Sequence, residues 1–153
     1  MNRLTEAVKH LLIINVLFFI ATQIYGEQMY AWFALWFPEN PNFQIWQIVS
    51  HMFMHGGFFH LFFNMIMLVI CGPILESRLG AKKFFIFYFA AGFGSVTLYI
   101  LTNYFMVSDP TNYYRMLGAS GAIYGVAVGA ALTDPNRRIM LIIPPIPVRL
   151  IYL

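Results

Sequence analysis

Charge is scarce in this sequence: 10% of its 153 residues are charged, six acidic and nine basic, against about a quarter in an ordinary soluble domain. With 60% hydrophobic residues and a mean hydropathy of +0.70, that scarcity excludes a water-soluble globular fold. Cysteine is nearly absent as well. Cys71 stands alone, so no internal disulfide framework exists. Basic residues come in ones and twos rather than in a patch, so the net charge of +3 does not signal a partner with a phosphate backbone, and nucleic acid is excluded.

What is present is a series of long apolar runs. At roughly 20 residues per crossing, they predict an all-α, polytopic transmembrane bundle. The run Leu11 to Ile24, with its flanks, predicts a first helix over 7–25. A cleaved leader is the rival reading, and the lack of a small-residue cleavage site after the run favours a retained helix. A second helix is expected over 58–76, ending near Glu76-Ser77-Arg78-Leu79-Gly80, and a third over 83–102, entered by Lys82-Lys83. Tyr30 to Phe37 (YAWFALWF) is aromatic and bounded by Pro38, which suits a segment lying in the membrane interface.

The fourth run is short. It spans 120–133, about 20 Å at 1.5 Å per residue, against a hydrocarbon core of about 30 Å. Such a helix either thins the bilayer or starts below the surface, with Met116-Leu117-Gly118-Ala119 descending as irregular backbone. Backbone of that kind is tolerated only inside protein or beside a wet cavity. Past Arg138, Pro144, Pro145 and Pro147 forbid a regular fifth helix. An extended, interfacial or partly buried segment is expected there, with at most a helical turn from Val148.

These crossings put Arg3, Lys9, Arg78, Lys82, Lys83, Arg137, Arg138 and Arg149 on one side and only Arg115 on the other. The positive-inside rule makes the first side, and the N-terminus, cytoplasmic. The expectation is a multi-pass protein of the plasma (inner) membrane with the bilayer as its constant partner.

Polar residues inside a membrane mark function by default. His51, His55, His60 and Asn64 cluster at the start of the second helix. His60 and Asn64, four apart, share a face and can aim two donors at one point. A metal site is the obvious rival. At about 100° per residue, however, His60 lies roughly opposite His51 on a continuous helix, and HMFMH lacks the glutamate of zinc-hydrolase helices. His51 and His55 also admit a plain reading as histidines bonded to backbone carbonyls. On the short helix, Gly121, Gly125 and Gly129 form a stripe on which another helix can pack closely. Ser120, at its start, reads either as an N-cap or as a nucleophile in the positive end of the helix dipole.

In order and spacing, His51, His55, His60, Asn64, Glu76-x-Arg78-x-Gly80, then Gly118-x-Ser120-Gly121 and Tyr124 resemble the rhomboid intramembrane serine proteases, from about Ala7 to the chain end. The resemblance implies a single rhomboid-type transmembrane domain over 1–153, with four helices of an expected six. It implies an endopeptidase that cleaves transmembrane segments of membrane proteins without metal or other cofactor. Ser120 matches the nucleophile, and His60 and Asn64 match the oxyanion hole formed with the Ser120 N–H. His55 matches a residue that holds the loop at that end, and Glu76 and Arg78 match a buttress at the other. Gly118, Gly121 and Gly125 match the small-residue setting, and Tyr124 matches the aromatic residue against which the catalytic imidazole packs.

Two departures accompany the match. Trp46-Gln47 stands where the family often has Trp-Arg, so the first loop is held differently. The family's general base is a histidine on a sixth helix packed against the glycine stripe, and no such histidine is in this chain. His10 falls near the wrong end, so the chain is expected to be C-terminally incomplete and nearly inactive alone. The alternative reading is a catalytically inactive rhomboid-like protein or fragment that binds transmembrane helices on its open glycine stripe.

Overall fold

Four apolar runs become four helices. The computed structural model describes residues 4–106, 115–140 and 146–152; Arg3, the 107–114 part of the linker, and Pro144 and Pro145 lie outside the described residues. Helices α1 (Glu6–Tyr25), α4 (Phe58–Leu79) and α5 (Ala81–Met106) are long and apolar enough to cross a membrane, while α6 (Ser120–Thr133) is shorter. Between α1 and α4 lie α2 (Glu27–Phe33) and α3 (Gln47–Ser50), the latter running into a 3₁₀ turn over His51–Phe53. After α6, β1 (Arg138–Met140) pairs antiparallel with β2 (Pro147–Arg149), and a 3₁₀ turn follows over Leu150–Tyr152.

Two helices overrun their predicted ends, while α1 and α6 stop where expected. Helix α4 continues to Leu79 and stops at Gly80, whose φ of 77° is a conformation that glycine adopts without a Cβ penalty. Helix α5 passes Thr102 and Asn103 to reach Met106, with the Asn103 side chain folded back, Nδ2 donating to the Tyr99 carbonyl at 2.7 Å. The aromatic segment divides. Its first part belongs to α2 with Trp32 exposed, whereas Ala34 and Leu35 are fully buried.

Small residues set the helix spacing. Gly72 of α4 sits against Val8 and Phe84, and Gly92 of α5 against Met52. The glycine stripe is not open. Gly121 abuts Ser95, Gly125 abuts Ala91, and Gly129 meets Phe87 and Leu75. Phe87, Ala91 and Ser95 are spaced by four on α5, as the glycines are on α6, and the two series run in opposite directions. The place expected for a sixth helix is therefore held by α5. The uncovered face of α6 is instead Tyr124, Val128 and Leu132. Ala122, Ile123, Val126 and Ala130 complete the core with Leu68, Cys71, Leu75 and Phe84.

At the other end of the bundle, α4 caps α1. The buried Glu76 carboxylate accepts the Thr5 hydroxyl and the backbone N–H groups of Ala7 (2.9 Å) and Val8 (3.0 Å). These amides have no partner within their own helix, and negative charge at a helix N-terminus is favoured. Arg78, two residues on, is exposed.

Two contrasts follow, both read by denaturant unfolding in detergent micelles. Glu76→Ala is expected to cost about 2–3 kcal/mol, whereas Arg78→Ala should stay within about 0.5 kcal/mol. Gly125→Val, which drives a branched side chain into Ala91, is expected to cost about 1–3 kcal/mol or more, while Val128→Ala on the uncovered face should cost well under 1 kcal/mol.

Candidate active site

The site is built where α4 and α6 begin. After the turn at His51–Phe53 the chain runs through His55, Gly56 and Gly57 into α4, which carries His60 in its first turn and Asn64 one turn further. From the other direction, residues 115–119 approach α6 as irregular backbone, as predicted. Met116 exchanges both backbone hydrogen bonds with Leu35, at 2.8 and 2.9 Å, and the Gly118 N–H donates to the His51 carbonyl at 2.9 Å.

Gly118 is where the two approaches meet. Its φ is 110°, a region that L side chains avoid. A Cβ built there would lie 2.7 Å from His60 Nε2 and 3.8 Å from Ser120 Oγ. The imidazole and the hydroxyl thus flank one point on the Gly118 backbone, and the missing side chain is what lets the imidazole come so close.

Ser120 is the first residue of α6, not its cap. Ala119 holds the N-cap position and offers no side-chain acceptor. The first helical bond runs from the Ile123 N–H to the Ala119 carbonyl at 2.9 Å, so the amides of Ser120, Gly121 and Ala122 have no acceptor within the helix. The reading of Ser120 as a mere cap is corrected on that geometry.

The remaining polar groups differ in how they are held. His51 and His55 are fully buried, with Nδ1 on the carbonyls of Gln47 (2.9 Å) and Phe53 (3.3 Å). That satisfies half of each ring, for Nε2 of both has no hydrogen-bond partner among the described residues. The His55 ring stands edge-on to His60, centroids 5.0 Å apart. Burial, with the neighbouring His60 adding to it, pushes His55 down to about 4, and burial lowers His51 too; both are neutral at neutral pH. Asn64 is buried, and its Nδ2 also lacks a partner among the described residues. Tyr124, one turn past Ser120, is 71% exposed. His10 is in the opening turns of α1, at the Glu76 end, with Nδ1 on the Glu6 carbonyl.

Sequence reasoning missed what Gln47 does. It is fully buried. Its Oε1 accepts from the Gln44 N–H (3.1 Å) and the Trp36 N–H (3.3 Å), and its Nε2 donates to the carbonyls of Asn42 (3.0 Å) and Ala31 (3.2 Å). A neutral amide thus ties the first loop together by matching donors and acceptors on both of its ends. Nothing in the local spacing marks it.

Gly118→Ala tests the meeting point. It is expected to cost about 2–3 kcal/mol from the forbidden φ and the contact with His60, measured as loss of unfolding free energy, with the His60 imidazole resonances displaced.

With this geometry established, similarity to known proteins becomes informative. A family model described as the rhomboid domain matches residues 42–153. The chain is 34% identical over 86 residues to a putative rhomboid protease, YdcA, of Bacillus subtilis, covering 56% of this chain and 39% of that one. It is 32% identical over 98 residues to rhomboid-like protease 3 of Toxoplasma gondii, covering 64% and 34%. To the rhomboid protease GlpG of Salmonella newport it is 35% identical over 69 residues, covering 44% and 25%. The matches span well under half the length of these relatives.

Proposed function

This chain belongs to the rhomboid family, and we propose that it is the nucleophile-bearing part of an intramembrane serine endopeptidase that cleaves transmembrane segments of membrane proteins. The observation that carries the reading is the meeting at Gly118. Ser120 Oγ and His60 Nε2 flank one glycine, and Asn64, on the same face of α4 as His60, keeps a buried amide donor without a partner among the described residues.

In this reading Ser120 attacks the carbonyl carbon of the scissile peptide bond. The carbonyl oxygen gains negative charge as the tetrahedral intermediate forms, and His60, Asn64 and the Ser120 N–H donate to it. The uncapped start of α6 adds its positive dipole end. Donors fixed in advance stabilise the transition state without reorganisation, the usual source of such catalysis. The serine proton needs a base. We assign that role to a histidine outside this sequence, its imidazole packing on the exposed Tyr124 ring. His55 then steadies the loop, and Glu76 holds the opposite end by capping α1. In the same reading the N-terminus is cytoplasmic, which the positive-inside pattern supports, and the site lies near the outer surface of the plasma membrane.

A second reading has one observation in its favour. The face of Tyr124, Val128 and Leu132 is apolar and uncovered, as it would be in a rhomboid-like protein that binds transmembrane helices without cutting them. A fluorophosphonate probe separates the two. In membranes carrying the product of the continuous reading frame, it is expected to label the protein at Ser120 and to leave Ser120→Ala unlabelled; equal labelling of both would overturn the nucleophile assignment. His60→Ala and Asn64→Ala are each expected to slow cleavage by about 10²–10³.

A further inference from the structure

Arg115 is the lone cation assigned to the Ser120 side, and it is tightly engaged. Its Nη1 donates to Glu27 Oε2 at 2.7 Å and its Nη2 to Glu27 Oε1 at 3.1 Å, a two-pronged pair between the approach to α6 and the first turn of α2. The guanidinium also lies over the Tyr30 ring, 4.4 Å from its centroid, with Trp36 at 5.8 Å. Tyr30 in turn donates its hydroxyl proton to the His55 carbonyl at 3.2 Å. The Arg115 hydrogen bond holds the Glu27 carboxyl below the usual carboxylate range, so the pair is intact at neutral pH.

The place of this cluster in the chain gives it its consequence. Met116, the next residue, is paired on both backbone groups with Leu35, and Gly118, two residues later, is tied to His51. Three attachments within four residues run from the exposed ion pair to Gly118, which His60 and Ser120 flank. A fork of donors on a planar cation can grip a carboxylate and lie on an aromatic ring together, which a lysine ammonium cannot do in one geometry.

We propose that Arg115 is a positioning residue: anchored on Glu27, Tyr30 and Trp36, it holds the backbone run 115–118 in the place that sets Ser120 beside His60. Its effect on catalysis rests on the serine-peptidase reading; its effect on the backbone does not.

The test therefore has two arms. In detergent micelles, hydrogen exchange at the Met116 and Gly118 amides is expected to rise roughly three- to tenfold in Arg115→Ala and Glu27→Gln, as an exposed bidentate pair with a cation–π contact allows. Arg115→Lys should fall between, and core amides of α4 and α6 should not change. Unaltered protection at both amides would overturn the proposal. Should Arg115→Ala unfold as a whole, Glu27→Gln, altered at an exposed side chain, decides. In the second arm the rate of fluorophosphonate labelling at Ser120 should fall in Arg115→Ala and recover in part in Arg115→Lys. Faster exchange with an unchanged labelling rate would reduce Arg115 to a structural tether and overturn its positioning role. Labelling is read on the product of the continuous reading frame; if that protein, unaltered, takes no label, the serine-peptidase reading and the catalytic half of the positioning role fall together, while the exchange arm still decides the backbone half.

Discussion

A helix of 14 residues rises about 21 Å, too little to cross an unthinned hydrocarbon core of about 30 Å, and residues 115–119 leading into α6 are irregular backbone. Backbone of that kind needs its hydrogen-bonding groups satisfied by protein, and this constraint organises the whole Ser120 end. Leu35 satisfies both groups of Met116, and the His51 carbonyl takes the Gly118 N–H. Ala34, Leu35, Phe37, Gln47 and the run from His51 to His55 are buried in consequence. The first loop is thus the surface on which the approach to α6 is laid, with Gln47 at its centre holding the loop in shape.

Once the approach is fixed, α6 is placed by two kinds of contact. Its glycines let α5 come close, where dispersion between backbones replaces the hydrophobic effect that drives packing in water. Its larger residues, Ala122, Ile123, Val126 and Ala130, fill the space shared with the bundle core. The third face, with Tyr124, Val128 and Leu132, is left uncovered. In a bilayer such an apolar face is at home against lipid or against another helix. Tyr124 stands one turn from Ser120, within reach of an imidazole that serves the serine.

Much of this was legible in the sequence, and the limits of legibility have physical causes. Runs of apolar residues mark α1, α4, α5 and α6 to within a few residues, because hydrocarbon thickness imposes length and charges mark the ends. The irregular approach through Gly118 followed from the shortness of α6. The partner of the glycine stripe did not. Small-residue spacing says that something packs closely on a face, and only the matching series Phe87, Ala91 and Ser95 on α5 says what. His60 and Asn64 were readable as neighbours on one face, since helical periodicity places them. Their meeting with Gly118 depends on pairings across the first loop, and the Arg115–Glu27 pair joins residues 88 positions apart, beyond the reach of any local pattern. Arg115 was read as a topology marker, which accounts for its side of the membrane and not for its grip on α2.

His51, His55 and Asn64 each keep one buried polar atom without a partner among the described residues. With Nδ1 of His51 and His55 on backbone carbonyls, that nitrogen holds the proton and Nε2 is left as an acceptor. Asn64 Nδ2 is the opposite, a donor. A buried group left unsatisfied costs about 1–3 kcal/mol, and the two kinds are relieved by different chemistry. An arriving anion relieves the Asn64 donor and does nothing for the two imidazole acceptors, which call for a donor such as water. A site that only needed to be dry and closely packed would have no use for an amide donor on the His60 face of α4. A site that must receive negative charge during a reaction, and release it afterwards, needs a donor that the folded protein has not already satisfied.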